Sequence, residues 1–225
     1  MNNSNALTLL REAITSVAEA IDGDRNLPEA LDSFCSTDLA ANMISRPQGS
    51  IPDHHDLLNR AINEISNAQF ATLKSALSAA KDELHWKIDD GGYYKIGADV
   101  GEGYKSGNMH ALLIGPENAL IESSDFLLGL FLLAPWTLYR DHKHRAPEIY
   151  IPLTGPSGWR FELGAWEDHP AGSKIINAPE VVHATRVYET PFLAIFAWTH
   201  DIDCICSVVD TDDWQEIEEQ LERNH

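Results

Sequence analysis

A chain of 225 residues with 44% apolar side chains can bury a sizeable core, and its composition argues against disorder. A formal net charge of −19, from 35 acidic against 16 basic residues, opposes binding to nucleic acid or to an anionic membrane. The longest apolar stretch, Phe126 to Pro135, is about half the length of a bilayer crossing.

The first residues lack both the basic region and the apolar block of a signal peptide, so the expectation is a soluble, cytoplasmic protein. Leu7, Leu10, Ile14, Val17 and Ile21 recur at spacings of three and four, which predicts an amphipathic helix over 5–22. Pro28 opens a segment, PEALDSF, suited to a helical turn, and 45–53 (SRPQGSIPD) is a loop. From an N-cap at Asp53, Leu57, Ile62, Ile65, Phe70, Leu73 and Leu77 continue the helical period. Residues 1–82 therefore form a helical N-terminal region.

The period then changes. Residues 84–97 hold two short strand-like runs around DDGG, a hairpin signal. HALLIG, FLLGLFLLA, EIYIPLTG, GWRFELG, SKIINA and PFLAIFAWT follow, separated by turn residues, and predict an all-β sandwich or barrel over 83–210. An acidic helix closes the chain at 211–225. Three cysteines are too few for a disulfide scaffold. Cys204 and Cys206, two apart, are expected as buried structural thiols in a reducing compartment, and no partner is assigned to Cys35.

The informative stretch runs from Tyr139 to Gly155. His142 and His144 are two apart, so on a strand both imidazoles face one way, and Glu148 and Tyr150 repeat the arrangement. Four polar, metal-competent side chains on one face of a segment built for burial are costly without a ligand. HxH alone is equally well an exposed loop; HxHxxxE with a glycine seven residues later is far more specific. His183 follows in the turn NAPEVVH. His54, His55, His85, His110, His169 and His200 have no ligand-spaced partner and read as structural or surface residues.

These residues resemble the metal-binding motifs of the cupin superfamily. Gly155 matches the closing glycine of the first motif, while Trp136 stands where its opening glycine is expected. In the second motif Gly172 and His183 match, Glu180 replaces a glycine, proline is displaced to Pro179, and Val187 replaces an asparagine. The resemblance implies a mainly β double-stranded β-helix (jelly-roll) barrel with an α-helical N-terminal region. The pattern Y-x2-HxH-x3-E-x-Y, then P-x3-H, then an apolar strand ending in Trp198, is similar to the cupin-type dimethylsulfoniopropionate (DMSP) lyases. Length and helical N-terminus place it near their DddL-like branch.

That resemblance implies that His142, His144, Glu148 and His183 hold one divalent transition metal. Zn, Fe(II) and Mn head the expectation, and Ni and Co also suit the donors. It further implies that Tyr150 and Tyr139 act in proton abstraction and substrate binding, and that Trp198 lines the pocket. Removing a proton α to a carboxylate needs stabilisation of the developing charge, which a metal supplies, and a neighbouring cation makes a phenol a better base. A sulfonium leaves without an acid, and aromatic faces such as Trp159, Trp166, Trp198 or Tyr139 suit its charge. The expected partner is the small zwitterion DMSP, with homodimer formation also expected. An Fe(II) oxygenase, an isomerase and a non-enzymatic binding cupin share the same donors and stay open at this point.

Overall fold

The computed structural model describes residues 3–21, 54–116 and 118–223, with the side chains of the first helix described from 5 to 16. The turn expected at 28–34, the 45–53 loop, Cys35 and the Asp53 cap lie outside these residues, as do the side chains of Val17 and Ile21.

Among the described residues, three helices make the first layer: α1 (Asn3–Ile21), α2 (His55–Glu64) and α3 (Ala71–Ala80). The periodic run after residue 53 is two helices rather than one. Ile65 leaves the helical region (ψ 103°), and the Asn67 side chain accepts the Gln69 N–H at 3.1 Å to start a 3-10 turn over Ala68–Phe70. Asparagine competes with the backbone for hydrogen bonds and favours caps over helix interiors. The apolar stripe survives the break: Ile62, Ile65, Phe70, Leu73 and Leu77 are buried, while Leu57 is half-buried and its neighbour Leu58 is buried instead.

Two sheets follow. The strands are β1 (Trp86–Lys87), β2 (Asn108–Gly115), β3 (Ile121–Glu122), β4 (Leu127–Leu133), β5 (Leu138–Lys143) and β6 (Glu148–Pro152). They continue as β7 (Ser157–Phe161), β8 (Glu167–His169), β9 (Ile175–Asn177), β10 (His183–Val187), β11 (Phe192–Trp198) and β12 (Ser207–Val208). One sheet has the order β1-β2-β4-β11-β6-β9, with β3 added beside β2, and the other the order β12-β5-β10-β7-β8. This is the jelly-roll barrel expected from the motifs. A short helix, α4 (Glu102–Gly107), precedes β2, and α5 (Trp214–Arg223) closes the chain.

Strand alternation explains the core. In β4, Leu127, Phe131 and Leu133 face the barrel interior, while Leu128, Leu130 and Leu132 pack in the cluster shared with the helices. In β11, Phe192, Ala194, Phe196 and Trp198 face in, and Leu193, Ile195 and Ala197 face the helices. Strands covered on both sides must be apolar at every position, which is why these two read as unbroken hydrophobic runs. Each large side chain so buried contributes about 1.5–3 kcal/mol. The helical layer is thus a wall of the same core.

The hairpin expected at 84–97 does not form. Trp86 and Lys87 pair instead with Ala111 and His110 of β2. Asp89 accepts the N–H groups of Gly91 and Gly92, both at 2.9 Å, and this side-chain turn diverts the chain into a loop. The loop returns to bridge Tyr94 with Cys206.

Candidate metal centre and cavity

Both sheets contribute to one site. His142 of β5 and His183 of β10 are direct cross-strand partners in the smaller sheet. Glu148 opens β6 in the larger sheet, between Trp198 of β11 and Asn177 of β9 in register. His144 follows the end of β5, in the connection to β6. All four side chains are buried.

Each imidazole is turned the same way. The Nδ1 of His142 lies 2.7 Å from the Arg140 carbonyl, that of His144 2.8 Å from Ala146 O, and that of His183 2.9 Å from Val181 O. A carbonyl only accepts, so each Nδ1 carries the proton and each Nε2 presents a lone pair. Ligand atoms of the three histidines lie within 4.8 Å of one another. Glu148 Oε2 is 3.3 Å from His144 Nε2 and 3.5 Å from His183 Nε2. His183 Nε2 is buried with no hydrogen-bond partner, an orphan that a metal ion would satisfy. This buried histidine triad suits a single metal ion.

The carboxylate is held in place. Trp198 Nε1 donates to Glu148 Oε1 and Asn177 Nδ2 donates to Oε2, each at 2.7 Å. Burial alone would raise the Glu148 carboxyl, but the adjoining His144 and His183 rings hold it well below the usual carboxylate range. Burial, then His183 and His144, push His142 down, which keeps it neutral and ligand-competent.

A β-bulge shapes the approach. Between His183 and Thr185 of β10 the partner strand advances from His142 to Tyr139, three residues against two. Tyr139 therefore joins His142 on the inner side, while Arg140 and Asp141 both turn outward. Arg140 bonds Glu218 of α5, and Asp141 accepts from Arg160 and from Trp214 Nε1. Tyr139 stacks on His142 at 4.2 Å between ring centroids and on Tyr104 at 4.3 Å. Its hydroxyl shares a short hydrogen bond with Tyr94. Burial, then Tyr94 and Tyr150, push Tyr139 up; burial, then the Glu148 charge, push Tyr150 up.

A cavity opens on this centre. His142, His144, Glu148, Tyr139, Tyr150 and Trp198 line it. So do Asp89, Tyr93, Tyr104, His110 and Cys206, which the motif spacing does not reveal. Cys206 is thus part of the cavity wall and not solely a packing thiol, and burial pushes it up. His110 likewise belongs to the wall, bonded to the Tyr93 hydroxyl at 3.2 Å. Trp159 lies behind Tyr150, 5.2 Å away, in the barrel core. Trp166 is elsewhere, covered by the guanidinium groups of Arg160 and Arg186 at 4.9 and 4.7 Å, and cannot meet a ligand in this cavity.

The two glycine positions of the motifs keep their backbone without their glycines. Trp136 (φ 60°) and Glu180 (φ 63°) are left-handed, as is Gly172 (φ 91°). Such a conformation costs a non-glycine residue about 1–2 kcal/mol. Hydrogen bonding offsets it: Glu180 N–H donates to His144 O at 2.8 Å, tying the His183 turn to the first motif.

Comparison with known proteins agrees with this geometry. The chain is 27% identical to dimethylsulfoniopropionate lyase DddQ of Ruegeria pomeroyi over 141 residues, covering 62% of this chain and 67% of that protein. It is 27% identical to a DddL protein of Cereibacter sphaeroides over 149 residues, covering 63% of this chain and 57% of that one. The crystal structure of DddQ from Ruegeria pomeroyi superposes with a TM-score of 0.65 at 19% identity, covering 89% of this chain and 96% of that one. A structure from a study of the DMSP lyases RdDddP and RnDddQII gives a TM-score of 0.68 at 18% identity, covering 93% and 100%. A family model described as dimethylsulfoniopropionate lyase matches residues 31–194, and the chain belongs to that family.

Proposed function

We propose that this protein cleaves DMSP to dimethyl sulfide and acrylate, with His142, His144, Glu148 and His183 holding one divalent transition metal and Tyr150 as the base. The family assignment carries the reaction class, a carbon–sulfur lysis. The observation that supports the site is the convergence of three Nε2 lone pairs, each fixed by an Nδ1–H bond to a backbone carbonyl, beside a carboxylate held by Trp198 and Asn177. A bound ion supplies Lewis acidity toward the substrate carboxylate.

The protein's own residues do the rest. Tyr150 follows Glu148 by two on β6, so its hydroxyl faces the cavity beside the ligand set. It takes the proton from the α-carbon; that electron pair becomes the carbon–carbon double bond, the carbon–sulfur bond breaks, and neutral dimethyl sulfide leaves with the sulfur electron pair. Burial and Glu148 both oppose an ionised Tyr150, so its basicity depends on the cation being in place. Tyr139, stacked on His142, orients the substrate. The two cysteines described, Cys204 and Cys206, are free and buried, in keeping with a reducing, cytoplasmic setting. Among the described residues no helix is long and apolar enough to cross a membrane.

Metal-stripped protein reloaded separately with Zn, Fe(II) and Mn, and given DMSP in air and under anaerobic conditions, tests this reading. The expected result is equimolar dimethyl sulfide and acrylate, independent of oxygen and abolished by chelation. Absence of dimethyl sulfide with every metal, or a product that requires oxygen, would overturn it.

A further inference from the structure

The cavity wall holds a second carboxylate that the metal centre does not use. Asp89 is 5% exposed and lines the cavity, and its carboxylate accepts from Gly91 N–H, Gly92 N–H and the Tyr104 hydroxyl, all neutral donors. Among the described residues, the lining includes no lysine or arginine. Asn108 clamps the residue rigidly, accepting its N–H and donating to its carbonyl, both at 2.8 Å. A buried carboxylate with neutral partners is costly unless a cation visits it.

Its position is defined by a run of rings. Tyr104 donates to Asp89 at 2.7 Å, Tyr139 stacks on Tyr104, and His142 stacks on Tyr139. Asp89 thus stands at the far end of a two-ring stack from a metal-ligand histidine. Tyr93, also on the wall, is pushed up to about 12 by burial and then by the Asp89 charge. Neutral imidazoles and one carboxylate around a divalent ion leave that end of the cavity net positive, and Asp89 makes the other end negative.

We propose that Asp89 is the specificity residue for the cationic end of the substrate, receiving the onium group between the rings of Tyr93 and Tyr104 while the ligand end receives the carboxylate. This rests on the DMSP reading of the site and names what that reading leaves open, how a zwitterion is chosen over other short carboxylic acids. A neutral acid leaves Asp89 uncompensated, and a dicarboxylate meets repulsion, so selection works by penalty as well as by attraction.

Calorimetric binding to metal-loaded protein tests the proposal without turnover. The probes are the betaine of β-alanine, a cationic analogue with a poor leaving group, and 4-methylpentanoate, the neutral isostere of DMSP. Wild type should prefer the betaine by about 10- to 100-fold. Asp89→Asn, which keeps an oxygen for Gly91 and Gly92, should remove most of that preference, by weakening the betaine and strengthening 4-methylpentanoate, with metal content unchanged. Asp89→Ser serves if the first variant does not fold. Equal affinity of wild type for both probes, or a loss in the variant that falls equally on both, would overturn the proposal. Dimethyl sulfide release without the preference sinks this proposal alone; an Asp89-dependent preference without dimethyl sulfide release sinks the lyase reading alone.

Discussion

Replacing Trp198 by phenylalanine isolates one hydrogen bond of the proposed metal centre. The indole Nε1 donates to Glu148 Oε1 at 2.7 Å, while the ring packs 4.6 Å from His144. Phenylalanine keeps much of the stacking and removes the donor. A buried hydrogen bond to a charged group is worth about 1.5–3 kcal/mol, and partners that orient a metal ligand typically change metal affinity by about 10- to 100-fold. Trp198→Phe should therefore weaken metal binding by that factor in competition titration against a chelating dye, with the thermal transition little changed. At saturating metal, kcat should recover most of its value, because the lost bond acts through Glu148. Asn177→Leu removes the second donor and should have a similar effect. The double variant should lose more than the product, since one anchor still holds the carboxylate and without either it rotates freely. Metal affinity within about twofold of wild type in Trp198→Phe would refute the claim that the indole N–H positions Glu148.

Three further outcomes are expected. Tyr150→Phe should retain metal and lose about 10²- to 10⁴-fold in kcat, while Tyr139→Phe should raise KM more than it lowers kcat; the opposite pattern in steady-state kinetics would exchange their roles. Burial, then Lys87 and His85, push His110 down to about 4. An unfolded imidazole titrates near ~6.5, so the unfolded chain gains a proton in this window that the folded chain does not, and stability falls as pH drops from about 6.5 to 4. His110→Gln should flatten the thermal midpoint across that window, and an unchanged slope would refute the assignment. A Cβ at Gly129 would lie 2.7 Å from both the Ala111 carbonyl and Phe196 Cε1, so Gly129→Ala should cost about 1–3 kcal/mol; an unshifted denaturation midpoint would contradict this.

Much of the architecture was legible because its causes are local. The runs 126–133 and 191–198 are apolar at nearly every position, since both faces of β4 and β11 are covered. His142 and His144 share a side because they are two apart. DDGG misled because an Asp89 side-chain turn competes with a hairpin turn for the same glycine N–H groups. Asp89, Tyr93, Tyr104, His110 and Cys206 were illegible as cavity residues, coming from separate loops and strands with no shared spacing. The one available signal was an acid and two tyrosines crowded into DDGGYY, next to glycines that free the backbone.

The sequence by itself determined the long apolar strands, which faces of the helices are apolar, and which donors lie two residues apart, because side-chain direction follows from the covalent geometry of the backbone. Only the tertiary structure decided that Trp198, Glu148 and Asn177 stand side by side, since that depends on the register of three strands far apart in the chain. It also decided that Tyr139 faces inward with His142 three residues on. Simple alternation would put them on opposite sides, and the bulge opposite β10 brings them together, because pairing with a distant strand outweighs the local period.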